Sequence, residues 1–246
     1  PGENMVWADK EGTIGWQAVG IAPIRNTHSG LVPVLGDGNY EWDGYLPITD
    51  KPHVVNPSEN FFASANQNVT PASYKHWNAI GFSWSDPYRG DRVSDVLSKN
   101  STHKFTMQEM MDLQVDYHSL PSEKLIKMID QTSLDKANQK YFEMLLAWNN
   151  KLTTTSVEAT IYVNWERTIV REFHEKYVPE NVKGLLNIQL FKIIKNLNKL
   201  PGKQRDNFLK NTFISSVKEL EVKFGKDLKN WRYGQKDFKH IKIKHP

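Results

Sequence analysis

The chain contains no cysteine. Disulfides, thiol nucleophiles and cysteine-ligated zinc are thereby excluded. No apolar run approaches ~18 residues, so no membrane-spanning helix is expected. The opening Pro1-Gly2-Glu3-Asn4 has no basic stretch leading into an apolar one, and no secretory signal is expected there. Glycine-rich phosphate loops and the Gly-x-Ser-x-Gly nucleophile elbow are missing. The eight histidines form no His-Glu-x-x-His and no other paired ligand spacing. His118, two residues after Asp116, and His174, next to Glu175, are expected to be surface histidines. The 246 residues therefore supply no convincing nucleophile.

What is present is enough for a packed core: 39% hydrophobic and 11% aromatic residues. The net charge of +4 hides an asymmetry, −7 over residues 1–182 and +11 over residues 183–246. The basic third is nearly all lysine, without interleaved arginines and stacking aromatics. Its charges are expected to be solvated faces of surface helices, not a nucleic-acid footprint. An anion-binding role is the rival reading of that third.

Two architectures follow one another along the chain. Residues 1–97 read as β- and loop-rich. Met5–Ala8 and Ile14–Val19 are expected as strands around the turn Asp9-Lys10-Glu11-Gly12. Pro23, Pro33, Gly36-Asp37-Gly38, Asp43-Gly44, Pro47, Pro52 and Pro57 then punctuate a long excursion, read as packed because it carries Tyr40, Trp42 and Tyr45. Phe61–Ala65 is the next expected strand. Residues 98–237 read as a helical lobe. Ser101-Thr102-His103 precedes Thr106-Met107-Gln108-Glu109, a cap with glutamate three residues on. Pro121 suits a first helical position. Val157, Ile161, Trp165, Ile169, Phe173 and Tyr177, spaced by four, put an apolar stripe on one helix face, and Phe213, Val217, Leu220 and Phe224 make another. Pro179 and Pro201-Gly202 break helices. Residues 238–246 alternate apolar and polar, as a returning strand should. The fold class expected is α+β, antiparallel strands plus a large helical lobe.

Phe61-Phe62-Ala63-Ser64-Ala65-Asn66-Gln67-Asn68 is the most informative stretch for function. An apolar run delivers an asparagine, whose side chain is both donor and acceptor. A fixed amide donor at a strand end is what an oxyanion hole requires. Taken alone, Asn66 would be a turn or cap residue. Arg92 in Asp91-Arg92-Val93 suits bidentate grip on a carbonyl or carboxylate, although an isolated arginine is more often a surface ion-pair partner. The aromatics of Glu41-Trp42-Asp43-Gly44-Tyr45 suit a pocket wall or ordinary packing, and packing is the commoner use. The sequons Asn68-Val69-Thr70 and Asn100-Ser101-Thr102 are short enough to arise by chance.

In this order the motifs resemble the penicillin acylase (penicillin amidase) family of N-terminal-nucleophile hydrolases. The resemblance runs through Glu3-Asn4-Met5-Val6-Trp7-Ala8-Asp9, Gly12-Thr13-Ile14-Gly15-Trp16-Gln17, Pro23-Ile24-Arg25 and Leu31-Val32-Pro33-Val34. It continues through Tyr40–Pro47, Asn56-Pro57, Phe61–Asn66 and Asp86-Pro87-Tyr88-Arg89-Gly90-Asp91-Arg92. Leu120-Pro121 and Leu145–Asn149 fit more loosely, and Trp231-Arg232-Tyr233-Gly234 with His240 and His245-Pro246 is a late landmark. Several motifs agreeing in order are more specific than any one.

The resemblance implies an αββα architecture of which this chain is a part, its three stretches (1–97, 98–237, 238–246) belonging to one larger domain. It implies a zymogen cut by autoproteolysis into two chains, the longer beginning with a serine whose own α-amine is the base. An α-amine of pKa about 7.7–8.0 suits that task near neutrality. This chain begins with Pro1 and is expected to be an internal segment of the longer, β chain. Its expected partners are the α chain, the rest of the β chain and a small acyl-amide substrate, with no nucleic acid and no membrane span. By itself it is expected to be inactive. Relatives process penicillins, glutaryl cephalosporins and acyl-homoserine lactones, which places the expected activity among amidases, some used in antibiotic biosynthesis. The resemblance implies a periplasmic or extracellular compartment, with a cytoplasmic one as the alternative. Asn66 falls on the family's oxyanion asparagine. Arg92 falls on an arginine that orients the site, with Arg89 as the alternative register. Gln67 stands where many members carry a second asparagine. Structural Ca²⁺ is implied for the intact enzyme, with Gly30 and Asn78 at weakly matching ligand positions and none expected on this chain alone. The rival is a relative without amidase activity, serving as a soluble binding lobe.

Overall fold

The computed structural model describes residues 2–99, 103–130 and 134–238. The fold is α+β: among these residues there are eight α-helices and one three-stranded antiparallel sheet. The chain divides into two compact units, Pro1–Thr106 and Met107–Pro246.

The first unit is built on the hairpin β1 (Glu3–Ala8) and β2 (Ile14–Val19), with β3 (His53–Val55) on the far side of β2. Asp9 closes the hairpin turn, its carboxylate accepting from the Thr13 N–H at 2.8 Å. Gly12 takes φ +88° there, a backbone region open to glycine at little cost. The register sets Val6 opposite Trp16 and Trp16 opposite Val54. Trp16 is buried, and its indole N–H donates to Asn4 Oδ1 at 2.7 Å. Every residue of β1 is exposed. The long excursion is packed only in part. A bridge between Pro23 and Tyr45 and a small core of Ala22, Leu46 and Ala79 pin its two ends, with Ile24 and Tyr74 against them. Residues 31–39 between them are exposed, as are Trp42 and Tyr45, which meet edge to face at 6.1 Å instead of walling a pocket.

Phe61–Ala65 is not a strand. Residues 61–64 run on without a ladder and turn at Ala65–Gln67. The Gln67 carboxamide takes the groups a ladder would use: Oε1 accepts from the Ala65 N–H at 2.6 Å, and Nε2 donates to the Ala63 carbonyl at 3.3 Å. Phe62 holds the segment to β2 by stacking on Trp16, centroids 4.6 Å apart and planes 10° from parallel. Short α1 (Trp77–Ile80) and then α2 (Tyr88–Ser98) complete this unit.

The second unit is helical: α3 (Met107–Gln114), α4 (Leu120–Ile126), α5 (Lys136–Ala147), α6 (Val157–Tyr177), α7 (Leu190–Leu197) and α8 (Gly202–Phe224). Side chains cap three of them, Ser119 for α4, Asp135 for α5 and Ser156 for α6, each accepting from the N–H three residues on. Pro121 sits second in α4, after Leu120, because Ser119 is the cap. The four-spaced stripe of α6 buries Ile161, Trp165, Ile169 and Phe173, while that of α8 buries Phe213, Val217 and Leu220. Their centre is a triad of Phe142, Trp165 and Phe213 in near-perpendicular contacts of 5.3–6.2 Å. The Trp165 N–H is satisfied by Thr212 Oγ1 at 3.1 Å. Tyr141 stacks on Trp231 and donates to Glu221 at 2.7 Å; burial, reinforced by that carboxylate, pushes its phenol up to about 12.

Neither flagged histidine is a plain surface residue. His118 is 15% exposed at its side chain and meets Glu123 at 2.5 Å, because the Ser119 cap folds the first turn of α4 back beside it. His174 directs Nε2 at the carbonyls of Lys183 and Leu186, both at 3.1 Å, where the chain turns after α6. The expected returning strand of 238–246, with His240 and His245, lies outside the described residues after Phe238, as do Asn100, Ser101 and Thr102.

Candidate active site

Asn66 sits at the tip of the tight turn that ends the Phe61 segment, exposed, with φ +69°. Asparagine is among the few residues that adopt this left-handed conformation readily. Its backbone is fixed from the far side by the Ser85 N–H, which donates to the Asn66 carbonyl at 3.0 Å. Its side chain is fixed by Arg89, whose Nη2 donates both to Asn66 Oδ1 and to the Ala65 carbonyl, each at 2.8 Å. The acceptor half of the carboxamide is thus engaged by a charged donor. The residue is exposed, and its Nδ2 half has no partner among the described residues.

The first turn of α2 places Arg89. Tyr88 is buried, and its N–H is capped by Asp86 Oδ1 at 3.2 Å, which seats the helix start. Gly90 then passes over the Gln67 clasp so closely that a Cβ there would fall 2.2 Å from the amide carbon. A side chain at this position would push the Gln67 amide out of its clasp. Arg89, on the residue before, therefore meets the turn directly. Arg92 lies one helical turn further on, half-buried, and the guanidinium hydrogen-bonded to Asn66 is that of Arg89. The Asp86–Arg92 motif pointed to an arginine, and the one whose hydrogen bond to Asn66 is described is Arg89, the alternative register. Gln67 and Ser85 carried no signal in the sequence as positioning groups. Their roles depend on where the backbone turns.

Gly30 and Asn78 are brought to one patch, but around a guanidinium. Arg25 donates through Nη1 to the Asn78 carbonyl at 3.3 Å and through its backbone N–H to the same oxygen at 3.2 Å. A Cβ on Gly30 would lie 3.2 Å from Arg25 Nε. The Asn78 side chain donates Nδ2 to Asn26, which in turn donates to Asp43 at 2.6 Å. Calcium takes six to eight oxygens, mostly from carboxylates and carbonyls. Here the Arg25 cation already serves the Asn78 carbonyl, and no group of three or more His, Asp or Glu converges among the described residues. These residues by themselves do not assemble the oxygen set of a calcium ion.

Comparison with known proteins follows this geometry. A penicillin amidase family model matches residues 1–246. An acyl-homoserine lactone acylase of Pseudomonas fluorescens is 29% identical over 196 residues, spanning 72% of this chain and 23% of that protein. The penicillin acylase 2 proenzyme of a Pseudomonas species is 26% identical over 173 residues, 68% of this chain and 22% of its own length. The chain thus spans under a quarter of these curated relatives. A solved thermostable penicillin G acylase from Alcaligenes faecalis shares the fold, with a TM-score of 0.73 at 18% identity, covering 93% of this chain and 48% of that one. No helix among the described residues is long and apolar enough to cross a membrane. Matched from its first residue to its last, the chain belongs to the penicillin amidase family.

Proposed function

We propose that the chain is the oxyanion-binding segment of an amidohydrolase that cleaves linear carbon–nitrogen amide bonds. An N-terminal serine supplied by the rest of the protein attacks the acyl carbonyl, and its α-amine receives the hydroxyl proton. The carbonyl oxygen becomes an oxyanion, and Asn66 Nδ2 donates to it. The proton then passes to the departing amine, and water releases the acyl group from the serine.

The observation that carries this reading is the division of the Asn66 carboxamide. Arg89 holds Oδ1 at 2.8 Å, and Nδ2 has no partner among the described residues. A preorganised donor of this kind costs no reorganisation when charge develops. The guanidinium also polarises the amide through Oδ1, which makes Nδ2–H a stronger donor. Names among the relatives, acyl-homoserine lactone acylase and penicillin acylase, support an N-acyl substrate.

The test is Asn66→Ala in the full-length protein, assayed on N-acyl substrates. Turnover should fall by about 10²–10³ with folding intact, as for loss of one oxyanion donor. Turnover within a few-fold of the parent removes Asn66 from the role.

A further inference from the structure

Residues 63–66 carry the candidate donor with no β-ladder to hold them. Among the described residues, hydrogen bonds from three side chains and turns fix their backbone instead. The Ser85 N–H donates to the Asn66 carbonyl at 3.0 Å, and Arg89 Nη2 donates to the Ala65 carbonyl at 2.8 Å. Gln67 makes two more by itself, accepting from the Ala65 N–H at 2.6 Å and donating to the Ala63 carbonyl at 3.3 Å. Ala65 is thus gripped at both of its backbone groups, its N–H by Gln67 and its carbonyl by Arg89. The Gln67 side chain spans the turn whose tip is Asn66 and is half-buried. Gly90 covers it so closely that a Cβ there would fall 2.2 Å from the amide carbon. Gln67 makes no hydrogen bond to the Asn66 carboxamide among the described residues, so its influence on that group passes through the backbone.

We infer that Gln67 is a positioning residue of the oxyanion site: its carboxamide aims Asn66 Nδ2 by fixing the turn that carries it, and Gly90 leaves the space in which it does so. The role presupposes Asn66 as the oxyanion donor. Such a donor stabilises developing charge only at hydrogen-bond distance from the place the oxyanion will occupy. A misplacement of about 1 Å can cost as much as about 10²-fold in rate. Arg89 holds the carboxamide by its acceptor side, but the Cα from which the carboxamide projects is set by the turn. Truncating Gln67 takes the acceptor from the Ala65 N–H and the donor from the Ala63 carbonyl, and the turn is then free to re-aim. The loss falls on kcat and not on KM, because the interaction that suffers is one made in the transition state.

The experiment is a double-mutant cycle in the full-length protein, assayed on N-acyl substrates with Tm read alongside. Gln67→Ala should lower kcat about tenfold and leave KM within about twofold of the parent. On the Asn66→Ala background the same substitution should change kcat by less than about twofold, because no donor remains to aim. Gly90→Ala should lower kcat to a similar degree, since its methyl displaces the Gln67 amide, and should add nothing to Gln67→Ala, which vacates that space. Alanine favours a helix more than glycine does, so Gly90→Ala decides on the same readouts if Gln67→Ala does not accumulate. A lowered Tm with kcat within about twofold of the parent marks a clasp that only holds the fold, and overturns the inference. An equal kcat loss on both backgrounds shows Gln67 acting without Asn66 and overturns it too, as does a loss confined to KM. Each of these leaves the Asn66 reading standing when Asn66→Ala alone costs about 10²–10³ in turnover; normal turnover in Asn66→Ala removes both.

Discussion

The two units of this chain solve opposite problems. The second unit (Met107–Pro246) is organised by apolar burial: α5, α6 and α8 close over fully buried Phe142, Ile161, Trp165, Ile169 and Phe213. The first unit (Pro1–Thr106) has a thin core, with Trp16, Ala22, Leu46, Ala79 and Tyr88 as its buried apolar residues, and much of its backbone is fixed by turns and side-chain clasps. The candidate chemistry sits in the thin unit. A catalytic donor must be exposed and aimed, and hydrogen bonds with direction do this better than non-directional apolar packing. The helical unit contributes bulk stability and, among its described residues, no predicted catalytic group.

That contrast can be broken. Trp165→Ala should have the largest effect on stability, about 3–5 kcal/mol, since it leaves a large cavity and removes the hydrogen bond to Thr212. Chemical denaturation of the full-length protein measures it, and the folded fraction should keep normal kcat. Asn66→Ala should do the reverse, costing only about 1 kcal/mol for alanine in a left-handed turn while turnover drops by about 10²–10³. If the two substitutions instead lower stability and turnover together, the division of labour is wrong.

Arg89 sharpens the comparison further. As a positioning residue it acts only through Asn66, so Arg89→Ala should reduce kcat by about ten- to a hundredfold, the worth of one charged hydrogen bond, and leave KM nearly unchanged. Arg89→Lys should recover part of that loss, because an ammonium can reach one of the two oxygens but lacks the planar fork. A larger kcat defect for Arg92→Ala than for Arg89→Ala would return the orienting role to Arg92. Smallest is Ser156→Ala at the start of α6, where the hydroxyl accepts from the Ala159 N–H at 2.9 Å. It should cost about 1 kcal/mol of stability with no change in kinetics.

How much of this was written in the chain differs between the units for the same reason. The α6 and α8 stripes were legible because helical spacing and burial are local and periodic. The β1–β2 hairpin was legible because Asp9 and Gly12 are the turn chemistry such a connection needs. Phe61–Ala65 had the composition of a strand, yet Gln67, two to four residues further on, claims its backbone groups. Propensity cannot register a competitor of that kind. His118 and His174 looked like surface residues because their partners, a capped first turn and two carbonyls, exist only once the helices end where they do. Asn66 itself was visible through a succession of ordered motifs.

The sequence by itself determined the α+β class, the two long helical stripes, the hairpin and the asparagine on which the proposed chemistry turns, because each is fixed by neighbours within a few residues or by ordered motif identity. The hydrogen bond between Arg89 and that asparagine belongs to the tertiary structure alone. Asn66 and Arg89 are 23 residues apart, and their meeting depends on a left-handed turn, a glutamine clasp and a glycine packed against that glutamine. Contacts across such a gap are set by the path of the backbone, which no local pattern encodes.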